Sequence, residues 1–183
     1  MLVFFLAGAA GLVVARWMHP VAEADASLAD GAFENALARY AIAEARFDAV
    51  APVRHLLHAE YDRIVSNQLW LLYRLGRYDD VIEKAQGAPE GAEPHFWSGS
   101  AFFAKAQAEQ KPEARLDWMN RAEEELRRAV EASPADWDVK YDFELVTRLA
   151  GELRKKPKTP PTELMRLLRP QPGAGAKPVR RVG

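Results

Sequence analysis

The nearest this chain comes to a metal site is the stretch PVRHLLHAEYDR, where His55 and His58 stand three residues apart with Glu60 and Asp62 close behind. On one helix face that spacing aims two imidazoles at a common point. A metal-dependent hydrolase using His55 and His58 would need further ligands, and none follows at ligand spacing. Two histidines flanking a glutamate, the zinc-protease order, are also absent. A solvated or packing helix face accounts for the pair without chemistry. The acidic clusters Asp79-Asp80 and Asp136-x-Asp138 lack the alternation of a calcium loop, and they read as acids opening helices, where the macrodipole favours them. No Ser-His-Asp order, glycine-rich phosphate loop or dinucleotide fingerprint occurs. The chain has no cysteine, so disulfides, thiolate catalysis and cysteine-ligated zinc are excluded. A non-enzyme is expected, with no catalytic, cofactor-binding or metal-binding residue.

What remains is binding chemistry. Arg74, Arg77 and Lys84 fall near one another along the chain and would line a concave surface for acidic peptide ends, or else a solvated face. The chain carries five tryptophans. Trp70 and Trp97 lie among other aromatics (Tyr73; Phe96, Phe102, Phe103), where packing between stacked helices competes with a peptide groove as the explanation.

These side chains must be positioned by helices, since alanine, leucine, glutamate and arginine dominate the composition. Three segments share a spacing. DGAFENALARY carries Gly31, Phe33, Ala36 and Tyr40; LGRYDDVIEKA carries Gly76, Tyr78, Val81 and Ala85; NRAEEELRRAVEASP carries Ala122, Leu126, Ala129 and Pro134. Glycine permits the left-handed turn after one helix, the aromatic opens the next, and small residues one turn on let the pair approach closely. This pattern is similar to the tetratricopeptide repeat, a pair of antiparallel helices, over about Ala26 to Leu153. The expected fold is all-α, a short helical-repeat array (α-solenoid) of two to three degenerate units in residues 19-153. Gly31 and Gly76 lie 45 residues apart, more than one repeat, so PVRHLLHAEYDRIVSN is expected to lengthen a helix. A loop over GAPEGAEP precedes the next helix, and a long helix runs from Arg115 to Ala132.

The ends differ from the body. MLVFFLAGAAGLVVA is fifteen residues without a charge, about 22 Å as a helix against a hydrocarbon core of roughly 30 Å. It would reach across if Trp17 and Met18 join it and Arg16 snorkels. A signal peptide cleaved after Ala22-Glu23-Ala24, or a buried core helix, are the alternatives. We read residues 1-18 as a single-pass anchor in the inner (cytoplasmic) membrane with the body periplasmic, although Arg16 counted alone favours a cytoplasmic C-terminal side. From Arg154 onward nine Lys or Arg face Glu163 alone, so this end carries +8 and the remainder −9. Residues 154-183 form a Pro/Gly-rich basic tail, flexible by composition, in which Thr162 to Leu168 is a short helix or docking motif. An acidic body beside an anchor argues against nucleic acid as the tail's partner.

The stretch DWDVKYDFELVTRL is expected to close the last repeat, with Val139, Phe143 and Val146 facing inward. It resembles the Trp-x-x-Lys/Arg-Tyr-Asn-Leu-Glu-x-x-x-Arg-Leu segment of small anchored tetratricopeptide proteins encoded beside MoxR-type ATPases and von Willebrand A proteins, the MxaK-like accessory proteins of methanol oxidation. Trp137, Lys140, Tyr141, Glu144, Arg148 and Leu149 match, and Asp142 and Phe143 replace the usual Asn-Leu. The resemblance implies a scaffold facing the periplasm that helps assemble or activate methanol dehydrogenase. It would bind von Willebrand A-type membrane proteins, the MoxR-type ATPase system and dehydrogenase components, but neither the calcium nor the pyrroloquinoline quinone of that enzyme. A repeat scaffold of another envelope complex is the alternative.

Overall fold

The computed structural model describes residues 2–155, with side chains from residue 15 onward. Among the described residues there are eight helices and no strand: α1 (Leu2–Ala29), α2 (Phe33–Ala49), α3 (Ala51–Leu56), α4 (His58–Arg74), α5 (Tyr78–Gln86), α6 (Ala92–Ala108), α7 (Pro112–Ala132) and α8 (Trp137–Lys155).

The glycine turns are built alike. Gly31 and Gly76 adopt φ of 72° and 73°, where a Cβ would crowd the backbone. At the first, the amide of Gly31 donates to Leu28 O at 3.0 Å and that of Ala32 to Ser27 O at 2.9 Å; at the second, Gly76 donates to Tyr73 O at 3.0 Å and Arg77 to Leu72 O at 2.9 Å. Each is a Schellman ending that satisfies the last carbonyls of one helix while reversing the chain. The next residue but one then opens the following helix with an aromatic: the Phe33 ring meets Trp70 at 5.6 Å and Tyr78 meets Tyr73 at 5.5 Å. The α6–α7 connection has no glycine. There Pro112 starts the helix and the Arg115 side chain donates to Glu109 O.

Successive hairpins α1–α2, α4–α5 and α6–α7 lie side by side, and α8 packs along α7, an arrangement consistent with an α-solenoid. The core has two parts. Tyr40, Phe47, Ile64, Leu69 and Leu71 are buried among α1, α2, α4 and α5, whereas Phe102, Met119, Leu126 and Val146 are buried among α6, α7 and α8; Ile82 packs against both. Gly99 lets α6 meet Leu126 of α7 at close range.

Two elements depart from expectation. The segment after Pro52 does not lengthen α4. It forms the separate six-residue α3, and the chain turns at Leu57 (φ −111°, ψ 36°) before α4 begins. Proline prefers the first turn of a helix, so it starts one here instead of riding inside a longer one. The boundary drawn at residue 18 falls within α1, which continues to Ala29. Among the described residues no helix is long and apolar enough to cross a membrane. The expectation of an anchor falls mainly on residues 1–14, whose side chains lie outside those described, and Thr162 to Leu168 lies outside the described residues altogether.

Candidate functional site

The last helix has two opposite faces. Val139, Val146 and Ala150 are buried, with Phe143 and Leu153 packed beside them. The steps of four, three and four keep those residues on one side of a helix of about 3.6 residues per turn. Asp136 fixes where the helix begins, its Oδ1 accepting the amides of Asp138 at 3.0 Å and Val139 at 3.3 Å, a side-chain N-cap. Trp137, Lys140, Tyr141, Glu144 and Arg148 fall on the opposite side at the same helical spacing. Trp137 is 78% exposed and Tyr141 68% exposed, and Lys140 Nζ sits 4.7 Å from the Trp137 ring centroid. Five of the six side chains that carry the resemblance thus form one solvent-facing strip. Isolated apolar side chains on a surface are ordinary; here two large aromatics stand a helical turn apart on one exposed face. Along one flank, Asp142 is raised above the usual carboxylate value by its burial and by the neighbouring charge of Asp138.

The cations expected to share a concave surface are divided. Arg77 and Lys84 line a groove of about 580 Å³ between α2, α4 and α5; Arg74 instead lies 6.0 Å from the Trp70 ring centroid. Neither groove cation is free. Lys84 Nζ lies 2.9 and 2.7 Å from the two oxygens of Glu44, and buried Gln68 donates to the same carboxylate at 2.9 Å. Arg77 Nε donates to Asp80 at 2.6 Å and its guanidinium faces Glu34 at 3.8 Å. Four carboxylates (Glu34, Glu44, Asp80, Glu83) meet two cations in the lining. That balance favours a cationic ligand over the acidic peptide end that the arginines and lysine alone suggest. Trp70 and Trp97 pack against the first core.

His55 lies in the last turn of α3 and His58 opens α4, so the break at Leu57 removes the shared helix face on which a metal reading depended. Both are exposed, and among the described residues no group of three or more metal-ligating side chains is placed to hold an ion. Asp79 and Asp80 occupy the first turn of α5 and Asp138 that of α8.

Two polar clusters were not legible from local spacing. One joins α1, α2 and α4: Arg63 donates to Asp25 at 3.0 and 3.2 Å and to Glu60 at 3.0 Å, Tyr40 donates to Asp25, and Asn67 donates to the Tyr40 hydroxyl at 2.9 Å. Burial raises Asp25, but the hydrogen bonds of Arg63 and Tyr40 and the Arg63 charge outweigh it and hold the carboxyl below its usual value. Burial and the Asp25 hydrogen bond push Tyr40 up to about 12. Burial and the Asp48 hydrogen bond do the same to Tyr61, also to about 12. These groups are matched to one another and staple three helices. The other cluster is His95 Nδ1, 2.8 Å from Glu125 Oε2, beside a cavity of about 420 Å³ that Ser98 and Arg128 also line. Its partners lie 30 residues apart, beyond any local periodicity.

No family model, no curated protein and no solved structure matches this chain.

Proposed function

We propose that this chain is a non-catalytic scaffold of tetratricopeptide-like repeats, held at the inner membrane through residues 1-18 with its body in the periplasm, and that it serves as an assembly factor for methanol dehydrogenase. The observation that carries the interaction reading is the exposed strip Trp137–Lys140–Tyr141–Glu144–Arg148, set opposite the buried face of α8. The helix packs through Val139, Phe143, Val146, Leu149, Ala150 and Leu153, so the aromatics on its outer side are spare for a partner. The same residues supply the resemblance to the anchored accessory proteins of methanol oxidation, which names von Willebrand A-type proteins, the MoxR-type ATPase system and dehydrogenase components as partners.

The test is affinity purification of the full chain from a methanol-grown host, beside the Trp137→Ala and Tyr141→Ala variants. Interface aromatics of this kind contribute about 2 kcal/mol or more each, so retention of a true partner should fall at least tenfold while the helical content stays that of the parent. Recovery of neither a von Willebrand A protein nor a dehydrogenase component overturns the methanol-oxidation reading. Specific recovery of a different envelope complex, still lost with Trp137→Ala, supports the broader scaffold reading in its place.

A further inference from the structure

Helix α3 is largely apolar, yet only Val53 is half-buried against the core and the rest of it is exposed. Around it, residues 49–59 read AVAPVRHLLHA, a run with no carboxylate and Arg54 as its only formal charge. Leu56 is 77% exposed and Val50 is exposed. In a chain with 26 Asp and Glu, a surface stretch of this composition is one that water does not account for.

Its position says what lies against it. The Trp17 ring meets Phe47 at 5.7 Å and Phe47 meets Tyr61 at 6.1 Å, so α1, the end of α2 and the start of α4 are level there. Beyond that level α2 stops at Ala49 and α4 has not begun, while α1 continues back to Leu2. The corner of residues 49–59 therefore lies at the end of the body toward which α1 runs back past Trp17. Arg16, Arg46, His55 and His58 are exposed at this end, as is Arg54, which pairs with Asp48 at 3.0 Å. Exposed apolar side chains beside arginines, with tryptophan at the same level, are the pattern of a surface resting in a phospholipid headgroup zone.

We propose that residues 49–59 form a lipid-facing corner that lies on the bilayer beside the entry point of α1. The inference rests on the membrane reading given above and adds to it which end of the body touches lipid. Because the chain lacks cysteine, single labels are clean. The full chain carrying Leu56→Cys, and separately Asp30→Cys at the far turn of the first hairpin, is labelled with an environment-sensitive fluorophore. Each is mixed with vesicles of phosphatidylethanolamine and phosphatidylglycerol bearing brominated chains. The expected result is a blue shift and quenching severalfold greater at position 56 than at position 30. Co-flotation of the protein with both labels equally in water overturns the corner and leaves the anchor standing. Failure to co-float overturns both. A blue shift at position 56 that grows with protein concentration in the absence of vesicles assigns the corner to a second copy of the chain and also overturns the proposal.

Discussion

Replacing Gly99 by alanine sets two effects of opposite sign against each other, and the geometry decides between them. In a helix interior alanine is favoured over glycine by about 1 kcal/mol. An added Cβ at Gly99 would lie 2.7 Å from Leu126 Cγ, 3.1 Å from Cδ2 and 3.2 Å from the Leu126 backbone nitrogen, against a comfortable carbon contact of about 3.5–4.0 Å. Leu126 is 1% exposed and has no free direction to swing into, and a backbone atom cannot swing at all. Relief requires α6 and α7 to separate along their length, an overpacking cost of about 1–3 kcal/mol. The backbone contact places it in the upper half of that range. The net expectation is a loss of about 1–2 kcal/mol, read as a lower midpoint in urea unfolding followed by far-UV circular dichroism. The partner change Leu126→Ala opens a cavity and costs about 2–5 kcal/mol alone. In the double variant the new methyl occupies part of that cavity, so the combined loss should fall short of the sum by 1 kcal/mol or more, a coupling expected only of residues in contact. A Gly99→Ala protein more stable than the parent, or effects of the two changes that simply add, would refute the close approach of these helices.

Three further outcomes are expected. Gly31→Ala and Gly76→Ala meet nothing within 4 Å, so their cost of about 1–2 kcal/mol comes from positive φ alone; an asparagine at either site should recover part of it, measured by the same unfolding midpoint. Asp25, held below its unfolded value of 3.8, contributes stability present above that pH and lost as the pH falls through its folded value. Arg63→Gln should therefore cost about 1 kcal/mol at neutral pH, the exposure of both partners keeping it low, with the gap closing once the carboxyl is protonated; midpoints across an acid series measure it. Asp142 is shifted the other way, above 3.8, so its ionisation opposes folding once the pH exceeds that value. Asp142→Asn should raise the midpoint by a few tenths of a kcal/mol at neutral pH and leave it unchanged in acid.

The parts of this fold that sequence discloses are those decided within a turn or two of the chain. Gly31 and Gly76 announce left-handed turns because no other residue adopts that backbone cheaply, and Phe33 and Tyr78 follow at the spacing that opens the next helix. The inward face of α8 is legible for the same reason: Val139, Phe143 and Val146 repeat at helical spacing. Pro52 marked the start of α3, but the helical spacing through His55 and His58 masked it, because a turn at Leu57 carries neither glycine nor proline. What stays hidden is chemistry between distant segments. Lys84 reads as a free cation until Glu44, 40 residues away, is found beside it, and Asp25 gives no local sign of Arg63. On α8 the inward face is legible from spacing, whereas the acidic balance of the groove is not.

Helix α1 has a mechanical consequence. It is a single rod of 28 residues, about 42 Å long at 1.5 Å per residue, and its last turns are one half of the first hairpin. Whatever is held at its beginning is joined to the body through helix and not through a loop. Pro20 withdraws one backbone donor and is the point where a bend has a chemical cause. One residue inserted ahead of Pro20 would turn the body by about 100° relative to anything held upstream.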